Sequence, residues 1–233
     1  MKKPILIQII QESASLHENK NNKIIKGFFI FQDELMNIFA RTSSTESGVI
    51  RLKWFYDTIS SKKISLIEIK DQDKKYLTAF LDSLSSDNFE NLQNYIESFL
   101  CVFERRVFAS IANEFIECCA RYLDKIFQHI YSEASCKKLA YMYSANFFLI
   151  NKIIFLENGW EFCKENNFRI QIDEIKQKKL DLQDDLIKNK STKTFYKTNK
   201  YFFNKTISQE DIFWDLKINP GFLKIASIYY YLF

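Results

Sequence analysis

Hydrophobic positions recur along this chain at steps of three and four. Phe28, Phe31, Leu35, Ile38 and Phe39 make one stripe, the pattern of an amphipathic helix. A polar break from Thr42 to Gly48 follows. In it Ser43, Ser44 and Thr45 are capping candidates, and Glu46 suits a first helical turn. Val49, Ile50, Trp54 and Phe55 predict a second helix. Residues 60–75 are charged and place a turn near 70–74. Leu77, Phe80, Leu81 and Leu84 resume the period, and 85–87 opens a helix bearing Phe89, Leu92, Tyr95, Ile96 and Phe99. Long helical patterns occupy 102–131 and 136–157, the second ending at Asn158 and Gly159, a good left-handed stop. Residues 164–187 alternate charge with Ile and Leu. Residues 188–205 lack a clear period and read as a loop, and Pro220 with Gly221 introduces a last helix over 221–232.

Composition supports the same picture. With 4 Gly and 2 Pro in 233 residues, the chain lacks the turn formers of an all-β sandwich or a doubly wound α/β fold. Long helices joined by polar loops remain. There are no repeats and no shift in composition, so 1–233 reads as one all-α domain of about eight to ten helices. Aromatic residues are 16% of the chain and 23 are Phe, so rings fill the core as much as Leu and Val do.

Charge and reactive residues exclude several classes. Net charge is +4, too small to imply nucleic acid as a partner from the total. The five Cys (101, 118, 119, 136, 163) have no CxxC spacing and read as small buried apolar residues in a reducing compartment. His17 and His129 are the two histidines, with no HExxH and no GxSxG elbow, so neither a zinc hydrolase nor a serine hydrolase is indicated. The opening MKKPILIQII is interrupted at Gln8 and reads as a first helix, not a leader. No run reaches the roughly 18 to 20 apolar residues of a spanning helix. The expected location is the cytoplasm, with peripheral contact at the inner face of the membrane as the further expectation.

The stretch GFFIFQDELMNIFARTSSTESGVIRLKWFYDTIS (27–60) resembles the opening of squalene/phytoene synthase family proteins, in particular bacterial members and the related mitochondrial complex I assembly factors. Phe31, Glu34, Leu35, Gly48, Ile50, Arg51, Leu52, Trp54 and Asp57 stand in the corresponding places. INPGFLKIASIYYYL (218–232) is similar to the family's closing segment, while ARYLDKIF (120–127) and AYMYSANFFLINKI (140–153), which includes Tyr143, match by pattern alone. The resemblance implies an isoprenoid-synthase-type helical bundle whose central cavity is lined by rings. Met36, Phe147 and Phe148 are candidates to fill that space.

Prenyl transfer in that family needs paired carboxylates that hold Mg²⁺ against a diphosphate. The resemblance places those acids at Met36 or Asn37, at Ala40, and near Ile154 and Asn158, none of which is acidic. It therefore implies the fold and argues against the reaction. The expected function is binding, of an isoprenoid or of a partner protein as an assembly factor does, with no cofactor. The alternative is an active transferase that keeps Mg²⁺ on relocated acids such as Glu34, Asp57 or the Asp181–Asp185 pair. Asp181–Asp185 and Asp211–Asp215 have DxxxD spacing, but 13 Asp in this chain give roughly 0.7 such pairs by chance. Both pairs read as solvated helix faces.

Two further features carry chemistry. Arg51 and Trp54, three apart, suit anion binding or stacking. Equally, Trp54 packs in the core with Arg51 paired to a buried acid such as Glu34. In 188–205, lysines including Lys193, Lys197 and Lys200 interleave with Phe195, Tyr196, Tyr201, Phe202 and Phe203. That mixture suits a solvated loop, a membrane surface with rings in the interface, or a single-stranded nucleic acid, and the +4 total gives no field to support the last.

Overall fold

The computed structural model describes residues 22–42, 44–100, 103, 112–157, 173–175, 177–178 and 187–208. The expected first helix, the stop at Gly159, the pairs Asp181–Asp185 and Asp211–Asp215 and the closing 221–232 helix lie outside the described residues. What is described is all-α: α1 (Asn22–Ala40), α2 (Thr45–Ser60), a 3₁₀ turn (Ile64–Leu66), α3 (Asp71–Ser83), α4 (Ser86–Ser98), α5 (Ala112–Tyr131), α6 (Lys137–Glu157) and α7 (Lys190–Ser208).

Five helices close a ring, with α1 against α2, α2 against α4, α4 against α5, α5 against α6 and α6 back against α1. Helix α3 packs on α1 and α7 on α6, and their buried rings Phe80 and Phe195 reach the same core. The α1 stripe read from the sequence faces inward, with Phe28, Phe31, Leu35, Ile38 and Phe39 all buried. Rings from every helix of the circle meet there. Phe31 stacks on Phe55 at 5.6 Å, Phe99 meets Phe115 edge-on at 5.0 Å, and Phe127 meets Tyr143 at 5.5 Å. Among the described residues these rings touch one another, and Met36, Phe147 and Phe148 are buried with them. Edge-to-face pairs of this kind add to burial because ring edges are positive and ring faces negative.

Two glycines allow backbones and rings to approach closely. A Cβ on Gly27 would lie 2.1 Å from the Tyr76 carbonyl oxygen of α3, and one on Gly48 would lie 2.1 Å from the Phe103 ring. Phe103 thereby stacks on Phe39 at 4.7 Å. Gly27→Ala gains about 1 kcal/mol of helix propensity but must push a backbone away, which costs about 1–3 kcal/mol or more. A carbonyl cannot rotate aside as a side chain can, so a net loss near 2 kcal/mol is expected in urea unfolding. Unchanged stability would mean that α1 and α3 do not pack this closely.

Helix ends are built locally. Ser44 caps α2, accepting from the Ser47 N–H at 3.2 Å, with Glu46 in the first turn. The polar break is thus shorter than expected, and Gly48 lies inside the helix. The predicted turn at 70–74 also differs: α3 begins at Asp71, and the chain reverses before it, at 61–70. There Lys62 adopts φ 53°, with Lys63 N–H donating to Thr58 O and Lys62 N–H to Ile59 O, both at 3.0 Å. Ser132 ends α5 in the same way at φ 55°. Both are Schellman stops formed without glycine.

The largest correction concerns 188–205, expected as a loop, which forms α7. Its start is fixed by buried Glu133, whose carboxylate accepts from the N–H groups of Lys188 (3.1 Å) and Asn189 (2.7 Å). A carboxylate at this end also meets the positive end of the helix dipole. Asp124 does the same for α6, accepting from the Cys136 N–H at 2.7 Å.

Candidate functional site

Helix α1 turns its other edge outward. At steps of three and four it carries Glu34 and Asn37, with buried Ile38 at the border of the inward stripe, and Arg41 follows the helix end in the same row. Helix α2 supplies Arg51, Trp54 and Phe55 in the same way, and the segment after the 3₁₀ turn folds back with Ile67 and Glu68. These nine residues line a cleft of about 120 Å³. Its floor is apolar, since Ile38, Phe55 and Ile67 are buried. Its rim is charged, with Arg41, Arg51 and Glu68 exposed. Asn37 Nδ2 donates to Glu34 Oε1 at 2.9 Å, which holds that carboxylate against its own helix. No carboxylate among the described residues lies within ion-pair distance of Arg41 or Arg51.

Trp54 decides between the two readings of the RLKW segment. It is 47% exposed, so it is not a core residue, and Arg51 makes no ion pair with Glu34. Ile50 (68% exposed) lies one turn before Trp54 on the same face, and Leu66 (53% exposed) adjoins Ile67. These three are the large exposed apolar side chains among the described residues; Trp54 lines the cleft, and the other two are chain neighbours of lining residues.

The other expected residues fall elsewhere. Phe31 and Tyr143 belong to the ring core, and burial first, with the Asp33 carboxylate second, pushes the Tyr143 phenol well above its ordinary range. Asp57 is exposed on α2 and does not line the cleft. Lys193, Lys197 and Lys200 lie on α7. His129 sits 3.3 Å from the Ser83 hydroxyl through Nε2, an ordinary inter-helix contact, and His17 is outside the described residues. Cys118, Cys119 and Cys136 form no disulfide among the described residues, and the last two are buried. Arg41, Ile67 and Glu68 are the cleft residues that sequence reasoning did not single out. Arg41 had a signal, one helical face with Glu34 at seven residues' distance, whereas the 67–68 segment had none.

A metal fits this site poorly. Glu34 and Glu68 are its two acids, and the two guanidinium groups beside them repel a divalent cation. Among the described residues no group of three or more His, Cys, Asp or Glu is gathered closely enough to hold one. No described helix is long and apolar enough to cross a membrane. Comparison of the chain with family models, with curated proteins and with solved structures finds no match.

Proposed function

We propose that this chain works by binding a partner protein at the α1–α2 cleft, as a diverged, non-catalytic protein of squalene/phytoene-synthase type with an assembly-factor-like role. The observation that carries the reading is the cleft's make-up. An exposed Trp lines it beside two Arg that make no ion pair among the described residues, and exposed Ile50 stands one helical turn before that Trp. Trp and Arg dominate the energetically decisive residues of protein interfaces. Size argues for the same occupant. Pockets that enclose a small organic ligand run from about 300 to 1,000 Å³. A cleft of about 120 Å³ admits one inserted side chain, not a prenyl diphosphate. The motif residues shared with the synthase resemblance, Glu34, Arg51 and Trp54, therefore serve recognition in this reading.

Two measurements test it. Purified protein given Mg²⁺ and farnesyl or geranylgeranyl diphosphate should release no pyrophosphate, and sustained turnover would replace this reading with the relocated-acid enzyme. Partners crosslinked to the wild-type protein in its native cells, then purified and titrated, should bind Trp54→Ala and Arg51→Glu at least about 30-fold more weakly, the loss of one hot spot. Both side chains are exposed, so folding stability should stay within about 0.5 kcal/mol. Equal affinity of wild type and both variants for every crosslinked partner rejects the cleft.

A further inference from the structure

The net positive charge of this chain comes from one segment. Residues 188–208 contain six Lys and no acidic residue. The whole chain is +4, so removing those six leaves −2 for everything else. The structure turns this segment into a helix, and the helix sorts its residues. Thr192, Phe195, Asn199 and Phe203 are buried against the bundle. Lys190, Lys193, Lys197 and Lys200 lie within about 80° of one another at 100° per residue, on the side away from it. Lys190 and Lys193 are exposed, and Lys197 and Lys200 half-exposed. Along the axis the four span about 15 Å.

We propose that this face of α7 docks on an anionic lipid bilayer, with the helix lying along the surface. A straight row of lysines on one side of a helix matches a flat sheet of negative headgroups, and clusters of four to eight basic residues on an amphipathic helix are the ordinary form of such contacts. The contact is electrostatic. Phe195 and Phe203, expected from the sequence as rings for the interface, are buried in the protein instead. The same burial argues against single-stranded nucleic acid, whose bases need exposed rings or guanidinium planes to stack on. This helix has no Arg, its buried Phe rings are committed to the core, and the Lys200 ammonium lies 5.8 Å from the centre of the half-buried Tyr196 ring. Tyr196 and Tyr201 flank the row with polar tips, which suits the headgroup layer. The inference is independent of the cleft, which is built from α1, α2 and the segment after the 3₁₀ turn.

Flotation of the full chain with vesicles of phosphatidylcholine, with and without phosphatidylserine, tests it. Binding is expected to anionic vesicles alone and to fall as salt rises, because screening shortens the reach of each charge. Each lysine near the surface contributes about fivefold to partitioning, so the combined variant Lys193→Glu, Lys197→Glu, Lys200→Glu should lose 100-fold or more. Lys193→Glu alone, at an exposed position, should lose at least fivefold and guards against a folding defect in the combined variant. Equal flotation with neutral and anionic vesicles, flotation with neither, or full retention by Lys193→Glu and the combined variant overturns the proposal. Tighter binding to single-stranded RNA than to anionic vesicles at equal ionic strength also overturns it, and assigns the face to nucleic acid.

Discussion

Phe28→Ala is expected to destabilise the protein by about 3–5 kcal/mol, read as a lower denaturant midpoint in urea unfolding. Phe28 is 1% exposed and touches rings on four helices: Phe29 and Phe31 on α1, Phe80 on α3, Phe127 on α5 and Tyr143 on α6. Removing it subtracts the transfer free energy of a large ring and also leaves a hole. Its neighbours are large planar groups locked edge to face, so they cannot collapse into that hole without breaking their other contacts. Domains hold only about 5–15 kcal/mol in total, so this one change removes a large part of the reserve. Trp54→Ala makes the control. It deletes a still larger side chain, but from the rim of the cleft, and should shift the midpoint little. A loss under about 1 kcal/mol for Phe28→Ala would mean the centre of the bundle is not packed ring on ring.

The α1 stripe was legible because its inward positions are all hydrocarbon, so the 3.6-residue period stands out in the sequence. Helix α7 was not, although it is as long as α1. Its buried side includes Thr192, Thr194, Thr198 and Asn199, which a hydrophobicity pattern counts as outward. Three of them satisfy themselves within the helix. The hydroxyls of Thr194 and Thr198 donate to Lys190 O and Thr194 O at 3.0 and 2.9 Å, and Asn199 Nδ2 donates to Phe195 O at 2.9 Å. A polar side chain bonded to its own backbone can be buried at little cost, which erases the period without erasing the helix. Asn199 also accepts from Asn146 Nδ2, through its backbone oxygen at 3.0 Å and its Oδ1 at 3.2 Å. That buried amide pair fixes α7 on α6. The ends of α2 and α5 were hidden for a related reason, because Lys62 and Ser132 take the left-handed turns where a glycine would have announced the stop.

The cleft was half legible. Glu34, Arg51 and Trp54 were singled out as motif residues, with Trp54 left open between a stacking surface and the core. Nothing in the pattern of α2 distinguishes an inward Trp54 from an outward one, since its immediate neighbour Phe55 is the buried residue. A rotation of 100° separates the two. The segment 67–68 reaches the cleft only because α2 ends at Ser60 and the chain doubles back, a matter of tertiary geometry with no local signature.

Alkaline pH should unfold this protein steeply. Tyr95, Tyr131 and Tyr143 are buried, and burial pushes each phenol well above its ordinary range. Neighbouring acidic groups add to it: Cys119 and Tyr143 for Tyr95, Cys136 and Tyr143 for Tyr131, and Asp33 for Tyr143. The Gln32 side chain, 2.9 Å from the Tyr95 hydroxyl, works weakly in the opposite direction. In the unfolded chain the same phenols ionise near pH 10. Below that value both states hold the protons and these groups leave stability unchanged. Above it the unfolded state has released protons that the native state keeps, so stability falls as pH rises. Each group contributes about 1.4 kcal/mol per pH unit, and the three together about 4. A reserve of ordinary size is then exhausted within about one to four units above pH 10. Tyrosinate absorbance should therefore rise in a cooperative step that coincides with loss of the near-ultraviolet dichroism of the packed rings. Tyr131→Phe keeps the ring and removes one titrating group, so the steepness should drop by about a third. Gradual ionisation of all twelve tyrosines near pH 10 with the ring signal intact would show that solvent reaches the centre of the bundle. The same result would remove the basis for the large effect expected of Phe28→Ala, because both rest on one closed aromatic core.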